Sequence, residues 1–265
     1  MPQNSPNSPH ERLSFRQTEI LRLARETGSA AISELARHLG VSLETVRRDI
    51  RLLAESGELT KLHGAVKVPF PAGEAPFERR LRENAAEKRL IARFAADMVS
   101  DGDSVMLDTG TTTSMLAREL LRKRSLTVVT NSSDIARILA TVNGNTVYMA
   151  GGELHGDNGA AFGASAIEFI QRFKVRHAFI SIGAIDADMG LMDFHLAEAE
   201  FARTVLRRGE RRMVVSDHSK FDRTALVKVC DFSDIDLLIT DRLPSSAITE
   251  ALARSGTELS VVPAI

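Results

Sequence analysis

A short basic segment near the amino terminus carries side chains suited to binding double-stranded DNA. In a helix beginning at Leu43, three apolar residues fall at i, i+4 and i+7 and form a buried stripe, so a hydroxyl and three guanidinium groups face outward. The stripe is Val46, Ile50 and Leu53, and the outward residues are Thr45, Arg47, Arg48 and Arg51. Guanidinium groups read guanine edges in a major groove or hold phosphates. We therefore expect base contacts from the first three outward residues and a phosphate contact from Arg51.

The segments around this helix predict a winged helix-turn-helix domain over residues 15–68. Residues 33–39 form a helix pattern with Ser33 as its N-cap, and residues 40–42 break it before Ser42 caps the second helix. Ser42 also joins the candidate DNA contacts. Residues 58–68 alternate in the manner of a hairpin, in which Lys61 and His63, together with Lys67, would contact the DNA backbone. A surface helix with solvated arginines is the alternative interpretation.

Polar clusters in the second half of the chain indicate a ligand pocket. Each cluster follows a candidate strand, and ligands of open α/β sheets bind outside the carboxyl ends of the strands. The clusters are 108–113, 131–133, 151–153, 183–186 and 217–220. Any one of them alone is explained by a simple turn, but their repetition at corresponding strand ends favours a pocket. From these clusters we take Asn131, Gly151, Gly152 and Gly183 as candidate contacts.

Residues 108–113 are the best candidate for a phosphate contact. Gly110 lets a ligand approach the backbone, and the helix that follows offers free N–H groups and the hydroxyls of Thr111, Thr112 and Thr113. No Walker sequence and no GxGxxG fingerprint occurs, so we predict no nucleotide cofactor. Lys220 supplies a positive charge for the phosphate. The carboxylates expected to accept hydrogen bonds from hydroxyl groups are Asp108, Asp217 and Glu198, although helix capping or a surface ion pair also explains the last two.

The elements that position these clusters predict a mostly parallel α/β domain. Candidate strands alternate with candidate helices from Ser104 onward. The strands are 105–107, 126–130, 146–150, 178–182, 213–216, 237–240 and 259–262, and the helices are 113–122, 133–141, 164–173, 197–208 and 245–254. A further helix over 77–99 would connect the two domains, with Leu90, Ile91, Phe94, Ala95 and Met98 available for burial.

Composition limits the class of protein. The 265 residues have a formal net charge of -1, so any DNA-binding surface must be local. Cys230 is the single cysteine, which excludes an internal disulfide and indicates a small buried residue. We expect a disordered tail over 1–14, a linker over 69–76 and a ligand-binding domain over 77–265. No signal peptide or membrane-spanning run is recognised, which predicts a cytoplasmic protein without a membrane partner.

The amino-terminal motifs resemble those of the DeoR family of bacterial transcriptional repressors. The matching segments are 16–21, 34–36, 41–50 and 62–65. The family pattern usually ends His-Gly-Gly-Ala, whereas this chain has Leu62-His63-Gly64-Ala65, so the wing tip departs from the pattern. The resemblance continues through Asp-x-Gly-Thr-Thr at residues 108–112 and through segments 130–131, 151–154 and 217–221.

The resemblance implies both a fold and a function. The second half of such repressors is similar in fold to ribose-5-phosphate isomerase, and it senses a phosphorylated sugar derivative that releases the repressor from its operator. Segments 150–154, 169–173, 193–195 and 215–221 are most similar to members that control glycerol 3-phosphate metabolism. Ala184, standing where many members have a glycine, is expected to narrow the pocket and favour a small ligand. We expect a homo-oligomer, dimer or tetramer, that presents paired recognition helices and performs no catalysis.

The sequence leaves three alternatives to a ligand-controlled repressor without a metal. A sugar-phosphate isomerase with an accessory amino-terminal module would need a carboxylate base and a stabilising cation, and the carboxylates named above with Lys220 would provide them. A sensor acting through protein partners would leave the arginine face without a role. His195 and Glu198, one helical turn apart, form a possible metal pair, but a local hydrogen bond is the commoner arrangement. The histidines otherwise lack zinc-site spacing, so we predict no metal.

Overall fold

The protein is described by a computed structural model that covers residues 14–26, 29–55, 58–62, 64–67 and 77–263. Its internal contacts divide the chain into two units, Met1–Ala72 and Gly73–Ile265. The predicted linker lies outside the described residues, and so does the predicted tail except for Ser14. The domain boundaries drawn from the sequence therefore stay predictions.

The first unit places three helices against a small antiparallel sheet. Its elements are α1 (Phe15–Glu26), β1 (Ser29–Ala31), α2 (Ile32–Leu39), α3 (Leu43–Glu55), β2 (Thr60–Leu62) and β3 (Ala65–Lys67). Strand β3 pairs with both β1 and β2, in the described order β1-β3-β2. The apolar stripe of α3 packs in a core with Ile20 of α1 and Leu35 of α2. The helix-turn-helix and its hairpin are thus confirmed, whereas β1 was not predicted.

Of the two helix N-caps predicted for α2 and α3, the structure has the one at the start of α3 but not the one at the start of α2. Gly40 adopts a left-handed conformation with φ 64°, which a residue without Cβ tolerates. The Ser42 hydroxyl accepts a hydrogen bond from the Thr45 amide at 3.2 Å, so it caps α3 as predicted. The Ser33 cap was wrong. Helix α2 begins at Ile32, so Ala31 and not Ser33 occupies its N-cap position, and Ala31 makes no side-chain hydrogen bond there.

The Ser42 cap makes a measurable contribution to the recognition helix. Replacement Ser42→Ala removes the acceptor for the first-turn amide and should cost about 1 kcal/mol of local stability. We expect faster amide hydrogen exchange in the first turn of α3, with unchanged exchange in α1. Ser33→Ala is the control, because Ser33 does not cap α2 and its replacement removes no capping acceptor. Equal effects of the two substitutions would contradict the assignment.

The second unit is built on a parallel sheet that is seven-stranded among the described residues. Its helices are α4 (Phe77–Arg82), α5 (Ala85–Asp97), α6 (Thr111–Glu119), α7 (Ser133–Leu139), α8 (Ala164–Ile170), α9 (Leu196–Arg208) and α10 (Ser246–Ser255). Its strands are β4 (Ser104–Leu107), β5 (Thr127–Thr130), β6 (Thr146–Met149), β7 (Val175–Ile180), β8 (Ala184–Asp186), β9 (Gly190–Asp193), β10 (Gly209–Val215), β11 (Val227–Cys230), β12 (Leu237–Thr240) and β13 (Glu258–Val261).

The strand order of the large sheet is β13-β12-β10-β7-β4-β5-β6, and every described pair within it is parallel. Apolar clusters cover its two faces, as expected for strands that read as nearly continuous apolar runs. Cys230 is buried in one of these clusters, and burial raises the pKa of its thiol to about 12. All of the predicted strands correspond to strands of this sheet, so the α/β class is confirmed.

Two parts of the second unit differ from prediction. The single helix expected over 77–99 is broken between α4 and α5 at Asn84, whose φ is 51°, and Phe94 is exposed rather than buried. Strands β8, β9 and β11, which were not predicted, form a separate antiparallel sheet. Among the described helices, none combines the length and the apolar character needed to cross a bilayer.

Candidate nucleic-acid interface and anion-binding cavity

Helix α3 presents a basic face to solvent. Arg47, Arg48 and Arg51 are exposed, and Thr45 is half-buried, with its hydroxyl 2.8 Å from that of Ser42. The Arg47 guanidinium lies 3.8 Å from the Glu44 carboxylate, a weak surface pair that a phosphate or a base edge would readily replace. The outward face expected from the helical spacing is therefore present.

Asp49 is a buried acidic residue of α3, and sequence reasoning gave it no role. Its carboxylate accepts hydrogen bonds from the Arg16 guanidinium of α1, one of them from Nη2 at 3.2 Å. A buried carboxylate needs such a partner, because an unpaired one would carry a large desolvation cost. The Arg16–Asp49 pair therefore fixes the rotation of α3 on α1, and with it the direction of the exposed arginines.

The wing is described only in part. Lys61 is exposed on β2, where a phosphate contact is sterically open. His63 lies outside the described residues, and so does the side chain of Lys67. The assignment of these residues to DNA contacts stays a prediction.

The second unit contains a cavity at the carboxyl ends of three adjacent strands, β4, β7 and β10. The chain runs from β4 outward through β5 and β6 and then returns to the opposite side of β4 with β7. This reversal is a topological switch point, where neighbouring loops separate and leave a crevice. The enclosed part of this crevice is small, about 20 Å³, and the rest of it is open to solvent.

Loops and helices from several parts of the unit line this cavity. The lining residues are Phe77, Arg80, Lys88, Thr109, Gly110, Thr111, Thr112, Asn158, Ser181, Ile182, Gly183, Asp193, Glu198, Val215, Ser216, Asp217 and Lys220. Three are cations and three are carboxylates. A lining of this kind suits a ligand that combines an anionic group with hydroxyl groups.

The loop after β4 forms one wall and offers hydrogen-bond donors. Gly110 occupies the N-cap of α6 and supplies no side-chain acceptor, so amides of the first turn remain for an external anion. The Thr109 hydroxyl is buried and has no hydrogen-bond partner among the residues that the structure describes. A buried polar atom without a partner is costly, and a ligand oxygen would satisfy it.

Lys88 brings a buried positive charge to the cavity. Its side chain is 4% exposed, and its Nζ donates to the Arg80 carbonyl at 2.5 Å and lies 3.9 Å from the Asp217 carboxylate. The break at Asn84 brings Arg80 beside Lys88. The Asn84 side-chain amide donates a hydrogen bond to the Asp217 carboxylate at 2.8 Å. Burial lowers the pKa of Lys88, and the neighbouring Asp217 only partly opposes this effect.

Asp217 organises the turn that follows β10. Its carboxylate accepts hydrogen bonds from the Ser219 amide at 3.0 Å and from the Asn84 amide group, and it is 1% exposed. Burial by itself would raise the pKa of Asp217, but hydrogen bonds from Ser219 and the charge of Lys88 outweigh it and lower the pKa. Asp217 thus caps the turn that carries Lys220, which is the capping role that the sequence analysis gave as the alternative to ligand binding. Asp217 also lines the cavity.

Two further lining carboxylates come from the small antiparallel sheet and from α9. Asp193 ends β9, and Glu198 lies in the first turn of α9, where the Asn158 amide donates to its carboxylate at 3.2 Å. Among the described residues, no group of three histidine, cysteine or acidic side chains is arranged to hold a metal ion. Carboxylates and an amide at this position are suited to hydrogen bonds with ligand hydroxyls.

The structure brings together part of the set that the sequence proposed. Gly110, Thr111, Thr112, Gly183, Glu198, Asp217 and Lys220 line the cavity. Asp108 and Thr113 lie directly behind its wall. Asp108 accepts a hydrogen bond from the Ser181 amide at 3.0 Å, and the Thr113 hydroxyl donates to the Gly110 carbonyl at 3.1 Å. Burial raises the pKa of Asp108 well above its ordinary value, despite the hydrogen bond from Ser181.

Other proposed residues lie elsewhere. Asn131 is buried and donates to the Ala161 carbonyl at 2.9 Å, while Gly151 and Gly152 are exposed, and none of them lines the cavity. Ala184 packs with Met192, Phe194 and Ala225 rather than facing the cavity, so the argument that it narrows the pocket was wrong. The lining residues that sequence reasoning missed include Arg80, Lys88, Asn158, Ser181 and Asp193.

Comparisons with known protein families match both units. The family described as "DeoR-like helix-turn-helix domain" matches residues 16–71, and the one described as "DeoR C terminal sensor domain" matches residues 83–242. The two matches together cover α1 to β3 and most of the unit that contains the cavity.

Curated proteins similar to this chain are transcriptional repressors. The HTH-type transcriptional repressor CsqR of Escherichia coli K12 is 35% identical over 92% of this chain and 94% of its own length. The glycerol-3-phosphate regulon repressor of the same organism is 31% identical over 93% of this chain and 98% of its own length. The transcriptional repressor AccR of Agrobacterium fabrum is 36% identical over 85% of this chain and 88% of its own length. Among solved structures, ribose 5-phosphate isomerase A of Methanocaldococcus jannaschii matches 52% of this chain and 55% of its own, with 17% identity and a TM-score of 0.38.

Proposed function

The chain belongs to the DeoR family of transcriptional repressors, and we propose that a phosphorylated polyol binds its cavity and releases it from operator DNA. The first unit supplies the DNA-binding surface and the second senses the ligand. Coupling between two such sites typically changes affinity about five- to 150-fold, equivalent to about 1–3 kcal/mol. No chemical conversion of the ligand is needed for this response.

The operator-binding part of the proposal rests on the exposed face of α3. In helix-turn-helix proteins, residues at the start of the second helix contact base edges, while flanking residues hold phosphates. We assign base contacts to Thr45, Arg47 and Arg48, and phosphate contacts to Arg51 and Lys61. The protein acts as a dimer or tetramer in this proposal, because paired half-sites about 34 Å apart require two recognition helices.

The single observation that carries the ligand proposal is the charge arrangement of the cavity. Arg80, Lys88 and Lys220 meet the first turn of α6 at the sheet's switch point, and this combination attracts a phosphate. Asp193, Glu198 and Asn158 also line the cavity and are suited to hydroxyl groups. A ligand that combines a phosphate with hydroxyl groups matches both kinds of lining residue.

We take glycerol 3-phosphate as the first ligand to test. It combines one phosphate with two hydroxyls, and one of the similar proteins is named for a glycerol-3-phosphate regulon. The segments that first suggested this ligand include Asp193 and residues 215–221, and these contribute lining residues. Other small sugar phosphates share the same chemistry and are the outcomes to compare.

The isomerase alternative receives less support from the same geometry. Proton abstraction needs a carboxylate free to act on the substrate. Asp108 is engaged with the Ser181 amide, and Asp217 is engaged with Asn84 and Ser219. The similar curated proteins are repressors, and ketose formation from ribose 5-phosphate would be the result that favours an enzyme.

The proposal is tested by fluorescence anisotropy with labelled DNA from upstream of the gene and its neighbours. The titration is run at fixed salt, because the phosphate contacts make the affinity depend strongly on ionic strength. Tight binding that glycerol 3-phosphate weakens would support both parts of the proposal. Release by another sugar phosphate would change only the identity of the proposed ligand. Binding no tighter than to random DNA would contradict the operator assignment.

Substitution Arg47→Ala should weaken operator binding and leave ligand binding unchanged. Losing one base contact is expected to cost about 1–2 kcal/mol, or roughly 5–30-fold in the dissociation constant. Arg51→Ala should instead weaken binding to all DNA sequences and reduce the slope against salt by about one. Arg22→Ala, an exposed change on α1, is the control. Loss of ligand binding together with operator binding in Arg47→Ala would contradict this division between the units.

A further inference from the structure

The loop between β6 and α8 holds the short helix α4 through one carboxylate. Asp157 accepts a hydrogen bond from the Phe77 amide, with the nitrogen 3.0 and 3.1 Å from its two oxygens. The same carboxylate lies 3.8 Å from the guanidinium of Arg80. Asp157 therefore contacts both the first residue of α4 and a cation one turn further along it.

The residues held in this way also line the cavity. Phe77 and Arg80 belong to the cavity wall, and the Arg80 guanidinium lies 5.6 Å from the centre of the Phe77 ring. Asn158, the next residue of the loop, lines the cavity as well and donates to Glu198. The Arg80 side chain is 14% exposed and that of Asp157 is 53% exposed, so Arg80 stands between an outer carboxylate and the inner space.

A ligand anion would change the balance of charge around Arg80. A phosphate carries close to two negative charges at neutral pH and forms short, strong hydrogen bonds with guanidinium groups. Asp157 is a single, half-exposed charge whose pair with Arg80 is weakened by solvent. Arg80 would therefore exchange Asp157 for the ligand, and α4 would lose one of the two contacts that this loop makes with it.

We propose that Asp157, the Phe77 amide and Arg80 form a latch that the ligand anion opens. Closed, the latch holds α4 in the arrangement that favours operator binding. Opened, it releases α4, which begins at Phe77 and is therefore close in sequence to the first unit. The inference rests on the proposed function in one respect, namely that the ligand of this cavity is anionic.

The latch has a thermodynamic signature that a purely structural contact lacks. If the ligand binds the open state, then weakening the latch removes a cost of ligand binding, and the apparent affinity for the ligand rises. Operator binding then stays the same or weakens, because the closed state loses population. A residue needed only for folding would, on substitution, weaken ligand and operator binding together.

Asp157→Asn tests the latch, because asparagine keeps an oxygen for the Phe77 amide and removes the charge facing Arg80. Calorimetry with glycerol 3-phosphate should give a dissociation constant about two- to fivefold lower than in the parent protein, the range that a half-exposed ion pair contributes. Anisotropy should show operator affinity that is equal or lower. Glu78→Gln removes an exposed acid from the first turn of the same helix and should change neither value. Unchanged or weaker ligand binding in Asp157→Asn, or the same effect in Glu78→Gln, would overturn the latch.

A second measurement separates the latch from the identity of the ligand. Hydrogen exchange of residues 77–82 in the full-length, ligand-free protein should be faster in Asp157→Ala than in the parent, because both contacts are lost. Unchanged exchange would overturn the latch even if glycerol 3-phosphate binds. Failure of the parent protein to bind glycerol 3-phosphate, with faster exchange in the variant, would instead reject that ligand and support the closed contact, and the affinity comparison would then use the sugar phosphate that binds.

Discussion

Gly110→Ala should strongly weaken ligand binding while leaving operator binding intact. A Cβ at this position would stand 1.8 Å from the Ser181 hydroxyl oxygen and 2.8 Å from the Ser181 Cβ. Rotation of the serine side chain relieves the first contact but not the second. The start of α6 and the loop after β7 must therefore move apart, and both are walls of the cavity.

The size of the effect follows from the rigidity of this region. The Ser181 amide is tied to the buried Asp108 carboxylate, so the wall cannot yield without losing that hydrogen bond. Overpacking of this kind costs about 1–3 kcal/mol, and we expect ligand affinity to fall roughly 10–100-fold. Calorimetry with glycerol 3-phosphate measures the loss, and anisotropy with operator DNA shows that the first unit still functions.

Gly151→Ala is the matched control for this experiment. A Cβ at Gly151 would meet no atom within 4 Å, and the residue lies outside the cavity although the sequence had proposed it as a contact. We expect its ligand affinity to stay within about twofold of the parent value. If both alanine variants lost the response equally, the cavity would not be the ligand site, and the exposed loop at Gly151 would have to be reconsidered.

The large sheet was predictable because its strands are buried on both faces. Segments such as 178–182 and 237–240 read as short apolar runs between helical stretches, and this alternation specifies a parallel sheet. The small antiparallel sheet gives no such signal. Its strands β9 and β11 pair Asp193 with Val227 across a long stretch of sequence that includes α9, so only the tertiary structure defines them.

The cavity was predictable where it depends on strand ends and unpredictable where it depends on a helix break. The loops after β4, β7 and β10 converge because adjacent parallel strands end at the same edge. Arg80 and Lys88 lie in a charged helical segment whose side chains are ordinarily solvated. One signal was available, since Lys88 precedes Ile91, Ala92 and Ala95 at the i+3, i+4 and i+7 spacing of a buried stripe.

Lys88→Met should remove most of the ligand affinity, because it deletes the cation that is buried in the cavity wall. Methionine keeps a similar apolar length but provides no charge. Hydrogen bonds to charged groups contribute about 1.5–3 kcal/mol, so we expect the dissociation constant for glycerol 3-phosphate to rise roughly 10–100-fold. Arg89→Met, at the neighbouring exposed position of α5, should have no effect. Asp217 keeps its donors from Asn84 and Ser219, and the thermal unfolding of the variant reports whether the second unit is folded.

The pH dependence of ligand binding provides an independent test of Lys88. Burial lowers the pKa of Lys88 below 10.5, so on alkaline titration it loses its proton before an exposed lysine does. The ligand phosphate, with a second pKa of about 6, stays dianionic throughout this range. Affinity in the parent protein should therefore fall as pH rises through the lowered pKa of Lys88, and Lys88→Met should lack that fall. An identical alkaline decrease in both proteins would show that Lys88 does not bind the anion in its charged form.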